Sequence, residues 1–305
     1  MATFNVITHN YAFPVFVDSD LEPMQIDATK IGAAITDNTK LIVPVHIAET
    51  PADLDTVGHV AREHNIPFIE DAPAPLAVWR GQPVGTHGLG GCLSFQASKN
   101  LTAGEGGAVL TNDEDFANRC YDFQTPGGGR AKASNGRGSN YRMTEFQGSI
   151  LLTAARLGGP SQTAATKTPG TCRSCWPRSQ VSNPPNSTMC GSQAHGTCIC
   201  STTTHAFGGR PRATFLKELR EAGVSASPGY SALNRSAHVL ALANNPHYIK
   251  IYGRDFMAGW AERNACPVND QLCQQAVWFT QTVLLGTRDD MERIAASIDQ
   301  VRTKA

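Results

Sequence analysis

The chain has 305 residues, enough for one large or two modest domains with their own cores. Its 26 Lys and Arg balance 26 Asp and Glu, which excludes the strongly basic surfaces that nucleic acids and anionic membranes recruit. No apolar run reaches bilayer-spanning length, and Met1-Ala2-Thr3-Phe4-Asn5 lacks the basic and apolar regions of a secretory leader, so a cytoplasmic address is expected.

Taken in order, residues 41–48 read as a buried strand. Residues 51–64 read as a helix, with Pro51 suited to its first turn and Leu54, Val57 and Ala61 on one face. Residues 67–70 are a short buried strand that delivers Asp71 to its carboxyl end. This strand–helix–strand alternation predicts a mainly parallel α/β sheet, whose ligands sit beyond the carboxyl ends of its strands. His46 lies in an apolar strand and reads as a structural residue, or as one that supports the site residues from behind, rather than a catalyst. A β-type run at 92–95 leads through Lys99 to the turn Gly104-Glu105-Gly106-Gly107, and residues 108–110 are again strand-like. Asn112-Asp113-Glu114-Asp115 opens a helix to about Phe123, its acids placed to favour the N-terminus. Residues 126–139 form a Gly-rich loop, either a plain surface loop or a lid. From Met143 the pattern turns helical, with Phe146, Ile150, Leu151 and Leu157 apolar.

Residues 158–204 break this texture. They contain no Asp, Glu or Leu, where the chain's average would place about four carboxylates, and they hold five of the nine cysteines. A frame-shifted stretch is the favoured reading, and a low-complexity insert is the alternative. A third reading is a zinc module built from Cys172-x-x-Cys175 and Cys198-x-Cys200 with Cys190, His195 or His205, although the second pair is too tight for a ribbon. Cys92, Cys120, Cys266 and Cys273 are expected as inert buried thiols. Beyond residue 205 the sequence is ordinary α/β material. A helix over 215–219 ends near Gly223, and residues 271–285 fit a helix or a helix plus strand. Met291, Ile294, Ile298 and Val301 form a helical core stripe, with Thr287 and Asp290 in capping-box positions. The division is 1–157 for a partial large domain, 158–204 for the aberrant segment and 205–305 for a small C-terminal domain.

The chemistry concentrates at Asp71 and Lys99. A lysine between a strand and a glycine turn lies where a desolvated amine can form a Schiff base, and an acid at a strand end can hold a pyridinium nitrogen protonated. At Pro44-Val45-His46, Pro51-Ala52-Asp53-Leu54-Asp55, Ile69-Glu70-Asp71, Ser94-Phe95 with Lys99, Gly104-Glu105-Gly106-Gly107 and Asn140-Tyr141-Arg142-Met143-Thr144-Glu145, the chain resembles the DegT/DnrJ/StrS-type sugar aminotransferases. The resemblance spans roughly residues 12–157, with the motifs in family order. It implies an aspartate-aminotransferase-like fold of type I, and pyridoxal 5′-phosphate (PLP) as cofactor. It also implies amino transfer from glutamate or glutamine to a keto-sugar or keto-cyclitol, in a homodimer. Lys99 would be the Schiff-base former and proton carrier, and Asp71 the partner of the pyridine nitrogen. Ser94 would bind the phosphate, and Asn140 would reach it from the partner subunit.

The pattern departs from the family at three points. The family's glycine–threonine or glycine–serine phosphate turn falls upstream of the matching residues, so the chain reads as an N-terminally truncated member. Ala72-Pro73-Ala74-Pro75-Leu76 follows Asp71 where the family places a Gln or His against the ring, and Glu49 stands where it has glycine. A catalytically impaired remnant or non-catalytic partner subunit is the competing reading. Ser227-Pro228-Gly229-Tyr230 with Leu233-Asn234 resembles the family segment that approaches substrate, although Tyr230 could equally be packing. A Rossmann oxidoreductase is excluded, because no Gly-x-Gly-x-x-Gly follows a strand and opens a helix.

Overall fold

The computed structural model describes residues 1–21, 23–73, 77–126, 129–130, 138–157, 198–201, 210–280, 283 and 286–304. The fold is of the expected α/β kind. Its N-terminal half is organised by a short sheet in which Ile69–Asp71 pairs parallel with Gly90–Ser94. Gly90–Ser94 in turn pairs antiparallel with Gly107–Leu110, so the expected parallel sheet becomes mixed at this edge. The chain reverses there through Gly104 (φ +81°) and Gly106 (φ +148°), backbone states that L side chains resist. On the other side of Ile69–Asp71, the expected strand 41–48 is reduced to isolated parallel bridges at Ile42–Phe68 and Val45–Asp71. Pro44 has no N–H to give to a ladder, and after His46 the chain turns into the 3₁₀ helix Ile47–Glu49. The backbones still lock together, with Ile69 N donating to Ile42 O, Asp71 N to Pro44 O and His46 N to Asp71 O.

The helix Leu54–Glu63 begins later than expected. Asp53 takes the cap by accepting from the N–H groups of Asp55 and Thr56, which leaves Pro51 outside. Its buried face, Leu54, Val57 and Ala61, joins Ile31, Ile42, Phe68 and Val84 in one core beneath the sheet. The loop 85–88 lies so close over the strands that a Cβ on Gly91 would stand 2.2 Å from the Gly85 Cα. The helix Glu114–Gln124 is capped by Asp113 as the sequence suggests. In the helix 145–157, Phe146, Ile150 and Leu157 are exposed.

A second core joins the helix Arg212–Glu221, the strand Ala276–Phe279 and the helix Arg288–Thr303 through Phe215, Leu219, Val277, Phe279, Ile298 and Val301. The first of these helices ends in a Schellman motif, with Gly223 N donating to Arg220 O and Val224 N to Leu219 O. The capping box of Thr287 and Asp290 is formed. Residues 271–285 divide into the end of the helix Pro267–Gln275 and the strand Ala276–Phe279, which pairs antiparallel with Cys198–Ser201. Of the zinc candidates, Cys172, Cys175, Cys190, His195 and His205 lie outside the described residues, as does most of 158–204. Among the described residues no cluster of His, Cys, Asp and Glu could hold a metal ion.

A third core was not legible in the sequence. Phe4, on the N-terminal helix Ala2–His9, packs with Val239, Leu242, Tyr248, Met257 and Trp260. The strap after it is pinned by Tyr248 Oη donating to Thr8 O and Ala12 O, and by Trp260 Nε1 donating to Pro14 O. Asp18 accepts from Val268 N and Asn269 N at the start of the helix Pro267–Gln275. The C-terminal part of the chain therefore holds the first helix in place against the sheet edge. Of the thiols expected to be buried, only Cys266 is, and burial pushes it up to about 11, whereas Cys92 is exposed.

Candidate active site

Asp71 and Ser94 end two adjacent parallel strands, so both lie at one carboxyl edge. In register, Asp71 stands beside Cys92. Alternation along the strand then puts Asp71, Cys92 and Ser94 on one face and Glu70 on the other. The loop carrying Lys99 leaves the same edge. It is closed at its base by Ala103 N donating to Phe95 O, and stiffened by Thr102 Oγ1 donating to the same carbonyl. Gln96 Oε1 accepts from both the backbone and the hydroxyl of Ser98, and Lys99 N donates to Gln96 O. Lys99 is half-buried, and its Nζ has no hydrogen-bond or ion-pair partner among the described residues.

Thr3 is a site residue that the sequence reading missed. Its hydroxyl donates to Asp71 Oδ2 at 2.6 Å, across 68 residues of sequence. The two motifs give no local signal of this contact, because it depends on the aromatic core that fixes the first helix. Asn140 is not brought to the other three. It is exposed on the segment 138–144, where its Oδ1 accepts from Arg142 Nε at 3.0 Å. That segment is tied to the Glu114–Gln124 helix by Ser139 N donating to Phe123 O. Among the described residues it approaches the site through Met143, whose Sδ would stand 2.8 Å from a Cβ on Gly106. Tyr230 packs edge-on against Trp278 at 4.9 Å and keeps its other side in solvent.

Behind Asp71 sits the most buried polar group of this region. Glu70 is 0% and His46 1% exposed. Glu70 Oε2 receives His46 Nε2 at 3.0 Å and Gly85 N at 2.7 Å, and Oε1 receives His87 N at 2.7 Å and Gly88 N at 3.1 Å. Burial opposes ionisation of Glu70, but the bonds from His46 and the three backbone donors outweigh it and hold the carboxyl below its ordinary range. His46 Nδ1 accepts from Ala52 N at 3.1 Å. A backbone N–H can only donate, so the imidazole proton sits on Nε2 and points at Glu70.

Residues 1–299 match the DegT/DnrJ/EryC1/StrS aminotransferase family. The chain belongs to that family. It is 31% identical over 322 aligned residues to L-glutamine:2-deoxy-scyllo-inosose aminotransferase of Streptoalloteichus tenebrarius, an alignment that takes in 99% of this chain and 74% of the relative. It is 39% identical over 159 residues to GDP-perosamine synthase of Caulobacter vibrioides, covering 50% of this chain and 42% of that one. Among solved structures, an aminotransferase from Psychrobacter cryohalolentis superposes with a TM-score of 0.72 at 26% identity over 98% of this chain and 78% of its own. DesV of S. venezuelae gives 0.78 at 20% identity, over 100% and 76%. The aminotransferases of this family depend on pyridoxal phosphate.

The donor set at the strand edge fits that cofactor. An acid, an amine and a hydroxyl stand at or just beyond the ends of two adjacent parallel strands, matching a pyridine nitrogen, an aldehyde and a phosphate. The bond from Thr3 takes one lone pair of Asp71 Oδ2, so the carboxylate keeps acceptor capacity with which it could meet a ring nitrogen. Thr3→Val, which keeps the shape and removes this donor to a charged acceptor, is expected to weaken retention of PLP about five- to tenfold. Thr3→Ser is expected to restore it. Spectrophotometric titration of the apoprotein with PLP measures both.

Proposed function

We propose that this protein moves the amino group of L-glutamine or L-glutamate onto the ketone of a cyclitol or sugar. The observation that carries this is Asp71 and Ser94 at the ends of paired parallel strands, with Lys99, whose amine has no partner among the described residues, on the loop that follows. The similarity to a glutamine:keto-cyclitol aminotransferase, over 99% of this chain and 74% of that one, supports the substrate class.

When bound, PLP supplies an electron sink that makes the α C–H of the amino donor acidic. Lys99 Nζ holds the cofactor between turnovers. Once released, it takes the proton from the donor's α carbon and later returns one at the acceptor's carbon. Asp71 keeps a proton on the pyridine nitrogen, with Thr3 fixing the orientation of its carboxylate. Ser94 Oγ donates to the phosphate. We assign Asn140 to a phosphate reached across a subunit boundary, since it is exposed and remote from the other three in its own chain. A homodimer draws further support from the exposed apolar stripe Phe146, Ile150 and Leu157 on the adjoining helix. A cytoplasmic location agrees with the described residues, where no helix is long and apolar enough to cross a membrane.

The test is chemical trapping. Protein mixed with PLP and reduced with borohydride is expected to carry a pyridoxyl group on Lys99 alone, as mapped by peptide mass spectrometry. L-Glutamine added before reduction is expected to suppress the label. Label scattered over surface lysines, or none, would instead identify the chain as a remnant or a non-catalytic partner.

A further inference from the structure

The Glu70–His46 pair does not touch the reacting face, yet it flanks the backbone of Asp71. Asp71 N donates to Pro44 O, His46 N donates to Asp71 O, and Ala72 N donates to Cys92 O. The residue on one side of that backbone is therefore His46 and the residue before it is Glu70. Their side chains close a second link between the same two segments on the opposite face of the strand. Glu70 also gathers Gly85, His87 and Gly88, while His46 gathers Ala52 at the approach to the Leu54–Glu63 helix. A charge this deeply buried is retained against its desolvation only where its bonds are complete, and here both oxygens are saturated by four donors from two segments.

We propose that His46 and Glu70 are a positioning pair for Asp71, setting where its carboxylate stands beneath the pyridine nitrogen by clasping its strand to the 44–52 segment. The inference rests on the PLP reading of Asp71 and Lys99. The link that matters is the single bond from His46 Nε2–H to Glu70, because the backbone donors of 85–88 do not connect to the segment that flanks Asp71. The bond from Ala52 to Nδ1 sets the imidazole's tautomer and ring angle, as an orienting partner does for any directed histidine.

Two amide substitutions separate these bonds. Asn places its side-chain oxygen near the Nδ1 position, so His46→Asn can keep the Ala52 bond while losing the donor to Glu70. Gln reaches the Nε2 position, so His46→Gln can keep the donor to Glu70 while losing the bond from Ala52. Each variant gives up one hydrogen bond, so their thermal unfolding midpoints are expected to be similar. Retention of PLP is expected to differ, with His46→Asn weaker than wild type by roughly tenfold and His46→Gln within about threefold of it. The visible absorption band of the bound cofactor is expected to shift its pH titration in His46→Asn only. In cofactor-free protein, amide hydrogen exchange at Asp71 and Ala72 is expected to quicken in His46→Asn and to stay near wild type in His46→Gln.

Equal PLP affinity and equal titration in the two variants, with wild type still binding, would overturn the positioning role and leave a structural pair. Loss of affinity in proportion to the loss of stability in both would do the same. Wild-type protein that takes up no PLP would overturn this inference together with the function on which it rests.

Discussion

Lys99→Ala is expected to lower amino transfer by about 10⁴-fold, the largest effect of any single change in this chain. The reason lies in the two duties of one atom. In the proposed function Lys99 Nζ would be both the covalent hold on the cofactor and the base that moves the α proton, and among the described residues no other lysine is placed at this edge. The other lysines of the described N-terminal half, Lys30 and Lys40, sit elsewhere, Lys30 paired with Asp18 and Asp27 and Lys40 bonded to Asp37 O. Lys99→Arg keeps the positive charge but offers no amine that can be deprotonated near neutral pH, so it is expected to be nearly as inactive. A small exogenous amine can take up the proton-transfer duty, and added methylamine is expected to recover part of the Lys99→Ala activity and none of the Lys99→Arg activity. Single-turnover conversion of the L-glutamine half-reaction measures this without depending on the identity of the acceptor. A loss of less than about tenfold in Lys99→Ala would place the reactive amine elsewhere.

Much of this site could be read before any coordinates, because its groups lie close in sequence and at elements with strong local signatures. Asp71 was expected from the short buried run Pro67-Phe68-Ile69-Glu70 before it, and Lys99 from its place between a strand and a glycine turn. The capping box at Thr287 and the end of a helix near Gly223 were equally local. What stayed hidden depends on distant pairings. Thr3 gives no sign in its own helix that it meets Asp71, because a core made with residues 233–260 brings it there. The strand expected over 41–48 was apolar enough, but Pro44 and the turn after His46 break its ladder, which periodicity alone does not weigh. His46 was read as a structural or supporting histidine rather than a catalyst, and its burial and its bonds to Glu70 and Ala52 agree with that. Its partner Glu70 was passed over, since a Glu inside a buried strand declares itself only when the loop 85–88 is folded over it.

Glu70→Ala is expected to destabilise the protein by about 3–5 kcal/mol, the largest stability loss among the substitutions considered. The methyl group leaves the N–H groups of Gly85, His87 and Gly88 and the Nε2–H of His46 without their acceptor, and those of Gly85 and His46 are buried. Glu70→Gln is expected to cost less, about 2–3 kcal/mol, because its amide oxygen still accepts two bonds while its NH₂ faces the remaining donors. The same geometry fixes how stability responds to acid. With its folded pKa held below the unperturbed 4.5, Glu70 binds its proton more readily in the unfolded chain. Its contribution is therefore full above that unperturbed value and is lost as the pH falls through the folded one. Asp18 and Asp27 are held low as well, Asp18 by backbone donors and Asp27 chiefly by the hydroxyl of Thr29 and by Lys30, each against the opposing effect of burial, so wild-type unfolding alone would not isolate Glu70. The difference between wild type and Glu70→Gln does isolate it, since the variant has no carboxyl to titrate. Urea unfolding of both proteins from about pH 7 down to about pH 3 is expected to show a gap that is constant at the upper end and closes as the acid range is entered. A gap that stays flat throughout would mean that the pKa of Glu70 is the same folded and unfolded, and a gap that widens into acid would mean that Glu70 is held neutral because its four donors do not outweigh the burial of its charge.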